Sequence, residues 1–231
     1  MSASAGRMPD GSPLRRPELV IFDCDGVLVD SERLSHEVLQ AMLAEHGLSL
    51  TLAQTFERFM GSSSERCRDR VADLLGPAMP DDFMRRFGVR SVEAFAGSLL
   101  PVPGVAAVLD ALASPFCVAS NGPHEKMRFT LGHTGLLPRF EGRLFSADDV
   151  SRPKPAPDLF LHAAQTLGAA PQGCVVVEDS PTGVAAARAA GMTVFGYAAM
   201  GQGATLRAAG AAAVFDRMSE LLPWVCGAAA G

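Results

Sequence analysis

The stretch LVIFDCDGVLVDSE, Leu19 to Glu32, decides how the rest of the chain is read. Four apolar residues run into two aspartates separated by one residue, followed by a glycine and a third aspartate, Asp30. A short apolar run bounded by a turn signal reads as a buried strand. Such a strand has no reason of its own to end by bringing Asp23 and Asp25 together. Like charges so close disfavour each other's ionised forms, so the pair needs a cation, a shared proton or a reacting group.

Outward from this stretch, short runs rich in β-branched residues alternate with alanine-rich helical segments. The runs are LVIFD (19–23), FCVAS (116–120), RLFSA (143–147), CVVVED (174–179), TVFGY (193–197) and AAVFD (212–216). Continuous apolar strands separated by helices predict a parallel sheet covered on both faces, the doubly wound α/β class. Ser31 to Leu100 holds no convincing strand. Leu34, Val38, Met42 and Leu43 recur there at helical spacing before Gly47, and amphipathic segments follow at 56–60, 67–75 and 83–95. The expected organisation is a flexible N-terminal tail over 1–16, a core formed by 17–30 and 101–231, and a helical insertion over 31–100.

Of 231 residues 48% are apolar, enough for a sizeable core, and the net charge is −5. The basic residues are scattered, which argues against a nucleic-acid or anionic-membrane partner and for a small molecule. Cys24, Cys67, Cys117, Cys174 and Cys226 form no CxxC pair and fit a reducing cytoplasm. The first residues lack an apolar signal-peptide region, and glycines break the charge-free run from 189 to 206, so neither secretion nor a membrane span is expected. The five histidines show no metal-binding spacing and read as surface or packing residues, and GQGATL at Gly201 fails the dinucleotide fingerprint. Only two of the 20 basic residues are lysines. Lys126 reads as a surface charge, whereas Lys154 lies in RPKPAPDLF.

Ligands of an open parallel sheet bind at the carboxyl ends of its strands, near the switch in strand order. Asp23 and Asp25 follow the first run, Ser120 and Asn121 close the second, and Glu178 and Asp179 end the fourth. In chain order, DCDGVLVDSE, VASNGP, RPKPAP and VVVEDSPTGVAAARAAGM resemble the four motifs of the haloacid dehalogenase-like hydrolases. The resemblance runs from Leu19 to Ala198, with the helical insertion where that family has a small α-helical cap. It implies that Asp23 is a nucleophile forming an aspartyl-phosphate and Asp25 a general acid and base. It also implies Mg²⁺, held by the Asp23 carboxylate, the Asp25 main-chain carbonyl and Asp179, with Glu178 in direct or water-mediated contact. Lys154 would set a compact charge between nucleophile and phosphoryl group, and the Ser120 hydroxyl and Asn121 amide would hold phosphoryl oxygens. The larger guanidinium of an arginine would suit the lysine position poorly. Asp30 and Ser31 read equally as a helix N-terminus or as part of the site.

Within the family an acid two residues after the nucleophile favours phosphoryl chemistry over dehalogenation, and Asp25 supplies it. No lysine lies between Leu19 and Leu100, which excludes the Schiff-base phosphonate route. Ser35 and Ser64 stand where the similar β-phosphoglucomutases carry a histidine and an arginine. A Mg²⁺-dependent phosphatase is therefore expected, with a phosphosugar mutase as the alternative. A non-catalytic phosphometabolite-binding regulator is the third possibility, although no nucleophile, acid or metal ligand is missing. Ser35, Ser62, Ser63, Ser64 and Arg66 are the cap candidates for substrate contact, a set suited to a polyhydroxylated, even acidic, leaving group. SNGPHEKM and RLFSADDVSRPKPAPDLFLHAA resemble stretches of bacterial 6-phosphogluconate phosphatases more than those of phosphoglycolate phosphatases. 6-Phosphogluconate is thus the leading substrate of a monomer or weak homo-oligomer.

Overall fold

The computed structural model describes residues 16–60 and 64–226, without the side chain of Ser64. The expected tail, 1–16, lies outside the described residues apart from Arg16. The chain divides into two compact units, one made of the residues up to Val29 and from Pro101 onward, the other of Asp30–Leu100.

The first unit is a six-stranded sheet in the order β3-β2-β1-β4-β5-β6. Its strands are β1 Leu19–Phe22, β2 Phe116–Ser120, β3 Leu144–Ser146, β4 Cys174–Glu178, β5 Thr193–Tyr197 and β6 Ala213–Phe215. All pairings are parallel. The helices between them are α5 Val105–Ala111, α6 His124–His133, α7 Asp158–Thr166, α8 Pro181–Ala189 and α9 Gly203–Ala209, and α10 Leu222–Val225 follows β6.

Every residue of the central β1 is buried. Leu19 and Ile21 join Cys117, Ala119, Val176 and Val194 in one core cluster with Leu159 and Phe160 of α7 and Val184 of α8. Full burial of such side chains contributes about 1.5–3 kcal/mol each, which is why the strands read as unbroken apolar runs. The strand order reverses at β1, between β2 and β4, and the fold leaves its ligand crevice at that point. Register fixes what stands there: Ser120 pairs with Ser146, Glu178 with Gly196, and the Asp23 N–H donates to the Val177 carbonyl at 2.9 Å.

After β1 the chain turns back on itself. Gly26 takes a left-handed conformation (φ 75°), which a side chain would disfavour. Its N–H donates to the Val29 carbonyl at 2.9 Å, and Leu28 N–H to Cys24 at 2.9 Å.

The second unit is helical: α1 Ser31–Glu45, α2 Leu52–Phe59, α3 Ser64–Leu75 and α4 Phe83–Ser98. Leu39, Met42, Leu43, Phe59, Cys67, Val71 and Phe83 give it a core of its own. Thr51 and Gln54 form a reciprocal capping box that starts α2. Asp30 occupies the N-cap position of α1 but makes no side-chain cap bond, because its carboxylate takes the Arg33 guanidinium at 2.6 Å. The five cysteines are free thiols. Among the described residues no helix is long and apolar enough to cross a membrane.

Candidate active site

The carboxyl ends of β1, β2 and β4 bring together residues far apart in sequence. Lys154 is the hub. Its ammonium donates to Asp23 Oδ1 at 2.6 Å, to Glu178 Oε1 at 2.6 Å and to the Ala119 carbonyl at 2.8 Å, and it lies 4.8 Å from the centre of the Phe160 ring. Asp23, Lys154, Glu178 and Asp179 are all buried. A buried ammonium survives only if paired and hydrogen-bonded. Here all three donors are used, and the two carboxylates hold the amine well above its ordinary pKa against the cost of burial.

Burial pushes the Asp23 carboxyl up to about 7; Lys154 opposes this, while Glu178 and Asp25 add to it. One oxygen each from Asp23, Glu178 and Asp179 falls within 4.8 Å of the others. Hard carboxylate oxygens at this spacing fit a magnesium ion, which would favour their charged forms.

Glu178 is held from both sides. Its Oε2 accepts the Ser180 hydroxyl at 2.9 Å and the Ser180 N–H at 3.2 Å, and Ser180 Oγ in turn caps α8 by accepting the Gly183 N–H at 3.0 Å. Gly183 has no side chain for a local reason: a Cβ there would overlap the Glu178 carboxylate.

Ser120 and Asn121 lie where β2 ends, but their side chains do different work. Ser120 Oγ is buried and accepts the Gly122 N–H at 3.0 Å. The Asn121 carboxamide, expected to hold phosphoryl oxygens, also meets the main chain of Lys154 through both its ends. Its Nδ2 donates to the Lys154 carbonyl at 3.1 Å, and its Oδ1 accepts the Lys154 N–H at 3.0 Å. It is a clamp that sets the lysine's backbone.

Two further residues escape sequence reasoning. Lys126, read there as a surface charge, places its ammonium 2.7 Å from Asp25 Oδ2. Its scarcity was the available signal, since both lysines of the chain reach the two aspartates of the opening motif. His124 Nε2 meets both oxygens of Asp149 at 2.8 and 3.0 Å, and Ser146 Oγ donates to the Gly122 carbonyl at 2.9 Å. These contacts tie the loop after β2 to the turn after β3.

The remaining candidates belong to the helical unit. Ser35 is partly buried on α1, Arg66 is exposed on α3, and Ser64 begins α3. Ser62 and Ser63 lie outside the described residues.

A family model described as haloacid dehalogenase-like hydrolase matches residues 17–191. The chain is 35% identical over 187 residues to 6-phosphogluconate phosphatase of Escherichia coli, covering 80% of this chain and 85% of that protein. It is 32% identical over 179 residues to fructose-1-phosphate phosphatase of the same organism, covering 75% and 92%. A solved hydrolase from Deinococcus radiodurans, with bound phosphate and sodium, superposes with a TM-score of 0.79 at 36% identity, covering 88% of this chain and 93% of that one.

Proposed function

The chain belongs to the haloacid dehalogenase-like hydrolases, and from that premise we propose that it is a Mg²⁺-dependent phosphatase of a small sugar or sugar-acid phosphate, a phosphoric monoester hydrolase. The observation that carries this reading is the buried Asp23–Lys154–Glu178 group at the β1–β4 switch point, with Asp25 beside it on Lys126. A carboxylate approaches a phosphate ester only when the charge of both is offset. Lys154 offsets part of it. Magnesium, when bound by Asp23, Asp179 and the Asp25 main-chain carbonyl, would supply the rest as a Lewis acid.

In the first half-reaction an Asp23 oxygen bonds phosphorus as the phosphorus–leaving-oxygen bond breaks, and Asp25 gives its proton to the departing oxygen. In the second, a water oxygen bonds phosphorus, the Asp23–phosphorus bond breaks, and the water's proton passes to Asp25. Atoms, charge and the Asp25 proton are all restored. Ser120 bears on the phosphoryl group through its hydroxyl, and Asn121 through the placement of Lys154. Glu178 anchors Lys154 and is the third carboxylate that would hold the ion, directly or through water.

The helical unit acts as the cap, with Ser35, Ser64 and Arg66 as its candidates for choosing the leaving group. 6-Phosphogluconate is the leading substrate, supported by the likeness to the phosphatase named for it.

The test is phosphate release from 6-phosphogluconate, fructose 1-phosphate, glucose phosphates and phosphoglycolate, with and without Mg²⁺. Release should depend on Mg²⁺, be fastest with a sugar or sugar-acid phosphate, and vanish in Asp23→Asn. Full activity in that variant, or no turnover of any ester, would overturn the proposal. Interconversion of glucose phosphates that needs a bisphosphate would establish a mutase instead.

A further inference from the structure

The two lysines of this arginine-rich chain divide the two aspartates of the opening motif between them, Lys154 on Asp23 and Lys126 on Asp25. We propose that Lys126 is the positioning residue for Asp25, fixing its carboxylate for proton transfer to the leaving oxygen and from the attacking water; this rests on the phosphatase reading above.

Asp25 stands on a turn, beside the left-handed Gly26, with its side chain 18% exposed. General acid–base catalysis needs the carboxylate within hydrogen-bond reach of the reacting oxygen. A misplacement of about 1 Å costs on the order of 10²-fold in rate. The 2.7 Å contact to Lys126 ties Oδ2 to α6.

Two observations mark the contact as built. Lys126 is the third residue of α6, where the helix dipole disfavours a cation, so local helix energetics argue against a lysine there. The helix that carries Lys126 is itself pinned by Met127, Thr130 and Leu131, all buried, so the ammonium is presented from a rigid element.

The consequence is a dependence on the leaving group. An alkoxide leaving a sugar phosphate needs the Asp25 proton, whereas p-nitrophenolate departs as a stable anion and needs it little. The experiment compares kcat/KM of wild type, Lys126→Met, Lys126→Arg, Asp25→Asn and Asp23→Asn on the best sugar phosphate and on p-nitrophenyl phosphate. This ratio reports the chemistry up to leaving-group departure.

Lys126→Met should lose roughly 10- to 100-fold on the sugar phosphate and less than about threefold on p-nitrophenyl phosphate. Asp25→Asn should show the same pattern more strongly, and Lys126→Arg should recover most of the loss. Because Asp25 also serves the second half-reaction, kcat on p-nitrophenyl phosphate should fall in Lys126→Met even where kcat/KM does not. Equal losses on both esters, or no loss on either, would overturn the role of Lys126, and a lowered melting temperature beside equal losses would mark a structural role. Asp23→Asn separates the two levels. Activity on either ester in that variant overturns the phosphatase mechanism itself. Loss of both activities upholds that mechanism, and the leaving-group comparison then decides the role of Lys126.

Discussion

Replacing Gly183 by alanine should destabilise this chain, although glycine-to-alanine changes inside helices ordinarily stabilise. Gly183 is the third residue of α8, and alanine there would favour the helix by about 1 kcal/mol. The added Cβ, however, would overlap the Glu178 carboxylate. The end of a flexible glutamate would elsewhere swing aside at little cost. Here it is buried, with Lys154 at 2.6 Å on one oxygen and the Ser180 hydroxyl at 2.9 Å on the other. Moving it breaks a buried ion pair and the bonds from Ser180, a loss of about 3–5 kcal/mol. Against the helix gain, the net is a destabilisation of about 2–4 kcal/mol. For a chain of this size that corresponds to a fall in Tm of about 4–16 °C. Thermal unfolding followed by circular dichroism measures it, with Gly88→Ala as the control, since nothing lies within 4 Å of a Cβ there. A Tm in Gly183→Ala equal to or above that of wild type would refute the wedge between Gly183 and Glu178.

Other perturbations follow from the same geometry. Lys154→Arg should lose about 10²-fold or more in kcat, since a planar guanidinium cannot reach Asp23, Glu178 and the Ala119 carbonyl as one compact ammonium does; activity within tenfold of wild type would contradict the hub. Mg²⁺ at ten times its Kd should stabilise the wild type by about 1.4 kcal/mol, and the gain should shrink in Asp179→Asn; equal Mg²⁺ shifts of Tm in the two proteins would remove Asp179 from the ligand set. Burial lowers the pKa of His36, whose ring centre lies 4.4 Å from that of Phe56, although its bond to the Glu32 carbonyl opposes the shift. The unfolded chain therefore binds more protons there, so the contribution is fully present above the ordinary histidine pKa and declines as pH falls through it, at no more than about 1.4 kcal/mol per pH unit. The difference in unfolding free energy between wild type and His36→Phe, measured from pH 8 to pH 5, should carry this slope; a pH-independent difference would show that His36 does not titrate on unfolding.

Sequence pattern located the strands closely because burial on both faces leaves an unbroken apolar run. FCVAS and TVFGY coincide with β2 and β5, while RLFSA and AAVFD each shorten by a residue at both ends to β3 and β6, the edges of the sheet. The start of α3 at Ser64 was not legible in the same way, since SSSERC carries no apolar period. Nor was the work of Asn121. An asparagine after a strand reads as a polar end, and nothing local says that its carboxamide meets a main chain 33 residues away.

By itself the sequence determined the α/β class, the polar residues at the strand ends and the chemistry those residue types can perform, because burial period, strand polarity and functional groups are local properties. Tertiary structure alone decided their partners. Lys126 meets Asp25 across 101 residues and Lys154 meets Asp23 across 131, and Gly183 is bare because Glu178 folds back over it. Such pairings depend on where helices and loops come to rest around the sheet, and side-chain charge in a crevice is felt over a few ångströms of space whatever the distance along the chain.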